Sequence, residues 1–217
     1  MPLIDPAVAA YLDRLVPERH PELARMEVYA QEHDFPIIGP AAGQFCYLVA
    51  RILGARRVFE LGSGYGYSTA WFARAVGENG GGVVHHVVWD DDLSRRAREH
   101  LAALDLADLI EFTVAEAVET LRASDGGFDL IFNDIEKQDY PSSLPVIEEK
   151  LRPGGVLIID NILWHGRIFD EADRSPTTAG IREFTERITG DPAWSVSSVP
   201  IRDGLIVARW NGRAPSS

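Results

Sequence analysis

The chain has 217 residues, of which 46% are hydrophobic and 25% are charged, the composition of an ordinary soluble globular domain. Asp and Glu number 33 against 21 Lys and Arg, and the formal charge of −12 disfavours broad nonspecific binding to nucleic acid or anionic membranes. No apolar run approaches the roughly 20 residues of a membrane span, and the single cysteine, Cys46, excludes an internal disulfide, so we expect a cytoplasmic protein without membrane contact.

The N-terminal part of the chain is predicted to be helical. Residues 6–33 have the pattern of two amphipathic helices with a proline-containing break. Residues 39–53 have the pattern of a third helix, with a glycine just past its end. We expect the helices of residues 1–53 to pack over a core formed by residues 54–217, so that residues 1–217 make one domain.

Strands and helices then alternate along the chain, which implies parallel pairing in a doubly wound α/β sheet with helices on both faces. The predicted strands are 57–61, 83–88, 109–114, 128–133 and 155–160, and the predicted helices are 67–76, 92–104, 115–123 and 141–151. Near the C-terminus, residues 194–201 and 205–211 are strand-like and are joined by a tight-turn signal, which predicts an antiparallel hairpin. The expected fold is a Rossmann-like sheet of seven strands, mostly parallel.

A glycine-rich turn follows the first predicted strand. Glu60 lies near the strand end, Gly62, Gly64 and Gly66 follow, and Ser68 opens a helix. Glycine allows a sharp turn and a close approach of the backbone to a ligand, and the helix start offers free N–H groups. The G-x-G-x-G spacing differs from that of dinucleotide-binding proteins, and an anion before the first glycine suits a cationic amino acid better than a pyrophosphate. The alternative is a strand-to-helix turn with incidental glycines.

Polar side chains also end the fourth and fifth predicted strands. Asp134 follows one strand, and Asp160 and Asn161 follow the other. Ligands of open α/β sheets bind at the carboxyl ends of the strands, so these side chains can converge. Two carboxylates and one amide oxygen form a ligand set suited to Mg²⁺, with Mn²⁺ or Ca²⁺ as alternatives. A simple turn at residues 160–161 is the competing interpretation.

The segment "FELGSGYGYS" (59–68) resembles the first motif of class I S-adenosylmethionine-dependent methyltransferases. In detail it is similar to the cation-dependent catechol and caffeoyl-CoA O-methyltransferase group. The resemblance implies that the turn binds the methionine part of the cofactor and that the segment before "GQF" (43–45) caps it. The implied cofactor-binding residues here are Ile38, Gly39, Glu60, Gly62, Gly64, Gly66 and Ser68.

The residues that would bind the ribose and the adenine follow less directly from the resemblance. Val88 occupies the position where the family usually has an acid, so we assign the ribose contact to Asp90, with Asp91 as the rival. An acidic group at a helix start also serves as a cap, which is the alternative for these residues. Glu116 and Ala117 would flank the adenine.

Further segments extend the resemblance to roughly residues 26–210. "FNDIEKQDY" and "RPGGVLIIDNILWHGR" resemble two family motifs, and they contain the candidate metal ligands. The resemblance implies that Asp134, Asp160 and Asn161 bind a divalent cation, that Asp134 also contacts the cofactor, and that Lys137 is the catalytic base. A solvated lysine paired with Asp139 is the alternative for Lys137.

These features together predict an S-adenosylmethionine-dependent and cation-dependent O-methyltransferase acting on a small catechol-like substrate. Chelation of two vicinal oxygens would lower the pKa of the attacking hydroxyl, and Lys137 would accept its proton. One alternative is a tRNA wobble 5-hydroxyuridine O-methyltransferase, in which a hydroxyl and an adjacent carbonyl could chelate the cation. A second is a non-catalytic cofactor-binding module. We also expect a homodimer.

Overall fold

The structure is a computed structural model that describes residues 4–213, so the first three and last four residues of the predicted domain lie outside the description. Within these residues, seven strands form one sheet in the order β3-β2-β1-β4-β5-β7-β6. The strands are Arg57–Leu61 (β1), Val83–Val88 (β2), Ile110–Val114 (β3), Phe128–Asn133 (β4), Leu151–Ile159 (β5), Trp194–Val199 (β6) and Leu205–Trp210 (β7). The first five strands pair in parallel, and β7 is antiparallel to both β5 and β6, which confirms the predicted mixed sheet.

Helices cover both faces of this sheet, and eight α-helices lie within residues 4–213. They are Pro6–Leu15 (α1), Pro21–Glu32 (α2), Gly39–Leu53 (α3), Tyr67–Glu78 (α4), Asp91–Ala103 (α5), Ala117–Ala123 (α6), Tyr140–Lys150 (α7) and Pro176–Gly190 (α8). The sequence patterns predict all of these except α8. Its start carries a recognisable signal, a Ser175 cap followed by a proline in the first turn. No helix in this part of the chain is long and apolar enough to cross a membrane.

The central strands are apolar on both faces because helices bury each face, as in other parallel sheets. Alternate side chains enter two separate cores. One core contains Val58, Leu130, Phe132 and Ile158, and the other contains Phe59, Leu61, Ile131, Leu157 and Ile159. Strand β5 begins at Leu151, four residues before the predicted start at 155, since Leu151 pairs with Phe128 across an irregular register.

The register of β1, β4 and β5 aligns the ends of these strands. Leu61 pairs with Asn133, and Asn133 pairs with Ile159. The ladders continue one step further, because Asp134 N donates to Leu61 O at 2.9 Å and Asp160 N donates to Asn133 O at 3.2 Å. The two predicted metal-binding aspartates therefore leave neighbouring strands at the same level.

The C-terminal hairpin brings a further turn to the same edge of the sheet. Strand β7 runs antiparallel to β5 with Ile206 opposite Ile159, so β7 starts where β5 ends. Residues 200–204, which connect β6 and β7, consequently lie beside the carboxyl ends of the parallel strands. The sequence predicts this hairpin, whereas its position next to β5 follows from the sheet order.

Helix α8 is packed against the short 3₁₀ turn that carries Lys137. A Cβ atom added at Gly180 would overlap the carbonyl oxygen of Lys137 and would lie 2.9 Å from the Cα of Gln138. The absence of a side chain at Gly180 therefore allows the helix to approach this backbone closely.

We expect Gly180→Ala to lower the free energy of unfolding by about 1–3 kcal/mol, because the backbone at residues 137–138 must shift to admit the methyl group. Urea denaturation would measure the change. Gly190→Ala, at the end of the same helix, is the matched control, since a Cβ there meets no atom within 4 Å. The control should be neutral or stabilising by about 0.4–1 kcal/mol. Equal destabilisation of both variants would contradict the close packing at Gly180.

Candidate active site

Two adjoining cavities open at the carboxyl edge of the sheet. Their volumes are about 700 Å³ and about 270 Å³, and they share Gly62, Val88 and Asp134 in their walls. Of the residues predicted from the sequence, the larger cavity is lined by Gly62, Glu116, Ala117, Asp134, Lys137, Asp160 and Asn161. The smaller cavity is lined by Ile38, Gly62, Gly64, Ser68 and Asp134. The structure therefore gathers most of the predicted residues around one cleft.

The glycine-rich turn forms the junction between the cavities. Gly62 has a φ of 87°, a left-handed conformation that glycine adopts without strain. A Cβ at this position would also lie 2.6 Å from the backbone oxygen of Asp134. At the other end of the turn, Gly66 has a φ of 92° and precedes the first residue of α4. The glycines thus allow the chain to leave β1, contact the end of β4 and start a helix within a few residues.

Glu60 is fully buried beneath this turn and does not line either cavity. Within residues 4–213, neither of its carboxylate oxygens has a hydrogen-bond partner. Burial is the largest cause that raises the pKa of Glu60 to about 7. The nearby hydroxyls of Ser68 and Thr69 lower this pKa, whereas Asp134 raises it. An unpaired buried carboxylate is costly, and either a proton or a cationic group nearby would reduce this cost.

Asp160 and Asn161 both point to the larger cavity and are held there by backbone and turn contacts. Asp160 Oδ1 accepts a hydrogen bond from Asn161 N at 2.8 Å, and Oδ2 lies 3.2 Å from Arg202 Nη1. Burial raises the pKa of Asp160 to about 7 and Asp134 contributes to the rise, whereas Arg202 lowers it. Asn161 Nδ2 donates to Asp203 Oδ2 at 3.2 Å, which fixes the amide so that its oxygen is available to a ligand.

Lys137 lies in the wall of the larger cavity and is almost completely buried. Its Nζ donates to Asp134 Oδ1 at 2.7 Å and to the Ile135 carbonyl at 3.1 Å. The amine also lies 5.3 Å from the centre of the Tyr140 ring and 5.8 Å from that of Trp164. The pairing of Lys137 with Asp139, considered from the sequence, is therefore wrong, and its partner is Asp134.

The predicted ribose and adenine residues have local structural roles in addition to any ligand contact. Asp90 caps α5, with Oδ1 accepting from Leu93 N at 2.8 Å, and Asp91 is the first residue of that helix. Val88 and Trp89 line both cavities, whereas Asp90 and Asp91 line neither of them. Glu116 caps α6 through its carboxylate but also lines the larger cavity together with Ala117.

Gly39, predicted to cap the cofactor, starts α3 as the sequence pattern indicates, and it lines a separate cavity of about 180 Å³. Two further residues have roles that the sequence patterns did not indicate. Arg202 and Asp203 were interpreted from the sequence as part of a tight turn. Arg202 lines the larger cavity, and the buried Asp203 accepts hydrogen bonds from Asn161 and from the backbone N of His165. The sequence signal for these roles was a pair of oppositely charged residues in the predicted turn, directly before Gly204.

The chain is similar to known proteins over most of its length. A family model described as O-methyltransferase matches residues 15–211. A catechol O-methyltransferase from Mycobacterium tuberculosis is 33% identical over 180 residues, which cover 82% of this chain and 81% of that protein.

Solved structures show the same similarity. The O-methyltransferase from Bacillus cereus, in complex with SAH, is 29% identical with a TM-score of 0.84, covering 94% of this chain and 97% of that one. TomG from Streptomyces achromogenes, an O-methyltransferase involved in tomaymycin synthesis and solved in complex with SAM, is 28% identical with a TM-score of 0.84, covering 95% and 96% of the two chains.

The raised pKa of Glu60 predicts how stability depends on pH. Below pH 4.5 the carboxyl group is protonated in the folded and unfolded chains alike. Between pH 4.5 and about 7 the unfolded chain ionises first, so this group makes the fold less stable as pH rises. Above pH 7 the group is ionised in both states, and its full destabilisation of the fold remains.

Glu60→Gln should therefore be more stable than the native chain at pH 8, by up to about 3 kcal/mol, and the difference should disappear near pH 4.5. Urea denaturation at the two pH values would measure it. Glu186→Gln, an exposed substitution on α8, is the control and should change stability by less than about 0.5 kcal/mol at either pH. A pH-independent effect of Glu60→Gln would contradict the assignment.

Proposed function

The chain belongs to the O-methyltransferase family, and from this membership we propose that it transfers a methyl group from S-adenosylmethionine to a hydroxyl of a small catechol-like substrate with the help of a divalent cation. One observation carries the proposal. Asp134, Lys137, Asp160 and Asn161 line a single cavity that adjoins the glycine-rich turn. This arrangement provides both a place for a methyl donor and a hard oxygen ligand set beside it.

The smaller cavity is the proposed site of the methionine part of S-adenosylmethionine. Its walls contain Ile38, Gly62, Gly64 and Ser68, and the relatives from Bacillus cereus and Streptomyces achromogenes were solved with SAH and SAM. The unpaired carboxylate of Glu60 lies beneath the same turn and would be stabilised by a cationic group bound above it. Gly66 supports the turn, while the contacts of Gly39, Asp90, Asp91, Glu116 and Ala117 remain proposals.

The chemistry of the donor set fits a divalent cation. Burial raises the pKa of Asp160 and repulsion from Asp134 raises it further, and a cation between the two carboxylates would relieve that repulsion. Within the described residues no three acidic, histidine or cysteine side chains form a metal cluster, so the proposed site depends on the amide oxygen of Asn161 as its third donor. When bound, Mg²⁺, Mn²⁺ or Ca²⁺ would lower the pKa of the acceptor hydroxyl and orient two vicinal oxygens.

Lys137 is the proposed proton acceptor. Its amine lies in the cavity wall within 2.7 Å of Asp134, so the amine and the proposed ligands face the same space. A positive charge near Asp134 would weaken its pairing with Lys137. After losing a proton to solvent, the freed amine could accept the proton of the hydroxyl, while the rings of the buried Tyr140 and the partly buried Trp164 restrict water around it.

The two alternative functions receive no support from the relatives described above. Those relatives are named as O-methyltransferases or catechol O-methyltransferases, which disfavours both an RNA-modifying enzyme and a non-catalytic binding module. The expected homodimer and cytoplasmic location remain predictions.

Methyl transfer to catechol compounds tests the proposal. We expect transfer of labelled methyl from S-adenosylmethionine to a panel of vicinal dihydroxy aromatics in the presence of Mg²⁺, and loss of transfer in excess chelator with recovery on adding Mg²⁺. The physical reason is that a neutral phenol is a poor nucleophile without chelation. Mass spectrometry of the products, with total tRNA as a parallel acceptor, would measure it. Full activity in excess chelator would reject the cation, and labelling of tRNA alone would reject the substrate class.

Lys137→Met should lower the turnover rate on a catechol by on the order of 10²-fold or more while leaving S-adenosylmethionine binding intact, since a general base contributes about this much. Stopped assays and calorimetric titration of the cofactor would separate the two effects. Lys150→Met is the matched control, because Lys150 is the other lysine of the chain and contacts Ser124 O away from the cleft. Near-normal turnover with an unchanged pH–rate profile in Lys137→Met would remove the base role.

A further inference from the structure

The turn between β6 and β7 holds an arginine in an unfavourable backbone conformation. Arg202 has a φ of 53°, in the left-handed region that residues with side chains rarely adopt. Several contacts fix the turn, since Gly204 N donates to Ile201 O at 2.9 Å and Leu163 N donates to Asp203 O at 2.9 Å. A conformation of this kind persists only where the surrounding structure determines it, and such positions concentrate at functional sites.

The guanidinium of Arg202 reaches one of the two proposed metal-binding carboxylates. Arg202 Nη1 lies 3.2 Å from Asp160 Oδ2, and the other oxygen of Asp160 already accepts the N–H of Asn161. Asp160 is 1% exposed, whereas 35% of the Arg202 side chain is exposed. The carboxylate therefore has no freedom to move to water, while the arginine does.

The cationic partners of the cleft match its two proposed ligand carboxylates one to one. Lys137 pairs with Asp134, and Arg202 pairs with Asp160. Both cations line the larger cavity, together with the further acids Glu116, Glu136 and Asp139. A buried carboxylate that loses its paired cation is strongly destabilising, so Arg202 has a clear role in the protein without bound metal.

We propose that Arg202 is an internal counter-ion that competes with the divalent cation for Asp160 and thereby sets the affinity of the metal site. This inference rests on the proposed function, because it requires the cation to bind Asp160. A dication and a guanidinium at one carboxylate repel each other, so cation binding must weaken or break the pair. The exposure of Arg202 allows the side chain to move to solvent when this happens.

The competition predicts opposite effects of Arg202→Met on the two states of the protein. Without a cation, the variant should have a lower melting temperature, because Asp160 then lacks its charged partner. With a cation, the variant should bind more tightly, by about tenfold, because a charge-assisted hydrogen bond no longer has to be given up. A merely structural role of Arg202 would lower stability without tightening cation binding.

Calorimetric titration of the whole protein with Mg²⁺ at pH 8.5 would test this inference. Thermal melting with and without Mg²⁺ would accompany it, and the shift caused by Mg²⁺ should be larger in Arg202→Met than in the native chain. Arg202→Lys keeps the positive charge and should stay closer to the native affinity. Arg209→Met removes the same charge from an exposed position of β7 and should leave the affinity unchanged.

The outcomes separate the inference from the function on which it rests. Tighter Mg²⁺ binding by Arg202→Met than by Arg209→Met supports the competition, provided that Asp160→Asn abolishes the measured binding. Clear binding to the native chain with equal or weaker binding to Arg202→Met overturns the inference and leaves the metal site in place. If Mg²⁺ binds neither the native chain nor Arg202→Met nor Arg209→Met, both the inference and the proposed cation dependence are overturned.

Discussion

The burial of two carboxyl groups beside a third is the constraint on which the cleft depends. Burial is the main cause that raises the pKa of Glu60 and of Asp160 to about 7, and the partly exposed Asp134 adds to both rises. Acidic groups in such a poorly solvated region are unstable unless positive charge or protons balance them. Lys137 and Arg202 supply that charge within the protein. Under the proposed function, a sulfonium cofactor and a divalent cation would supply further positive charge, so the binding of these ligands would stabilise the protein.

The scaffold places these charges through backbone register and close packing. Hydrogen bonds from Asp134 and Asp160 extend the ladders of the parallel strands, so the two carboxylates cannot separate without breaking the edge of the sheet. Gly62 and Gly180 permit backbones to approach the same region from two sides. Asp203 then ties Asn161 to the C-terminal hairpin. Rigid elements thus keep the acidic groups in an arrangement that destabilises the fold locally, as is common at sites where function opposes stability.

Much of the fold and part of the cleft could be predicted from the sequence, because the relevant signals are local. Short apolar runs that follow glycines indicated β1, β2 and β4 with their observed limits, and the glycine-rich turn follows β1 as predicted. Helix α8 was missed although Ser175 and Pro176 mark its start. From the sequence, Asp90 could either contact the ribose or cap a helix. Its Oδ1 accepts a hydrogen bond from Leu93 N, which shows the capping role.

The sequence by itself determined the order of strands and helices, the glycine turn and the proposed set of oxygen ligands, because periodicity and residue type are properties of short segments. The tertiary structure alone decided which charges meet. Lys137 pairs with Asp134 rather than with Asp139, and Arg202 reaches Asp160 from 42 residues away. Such pairings depend on the sheet order that sets β7 beside β5, and distance in space is not encoded in any local pattern. The burial that makes these pairings necessary likewise exists only once both faces of the sheet are covered.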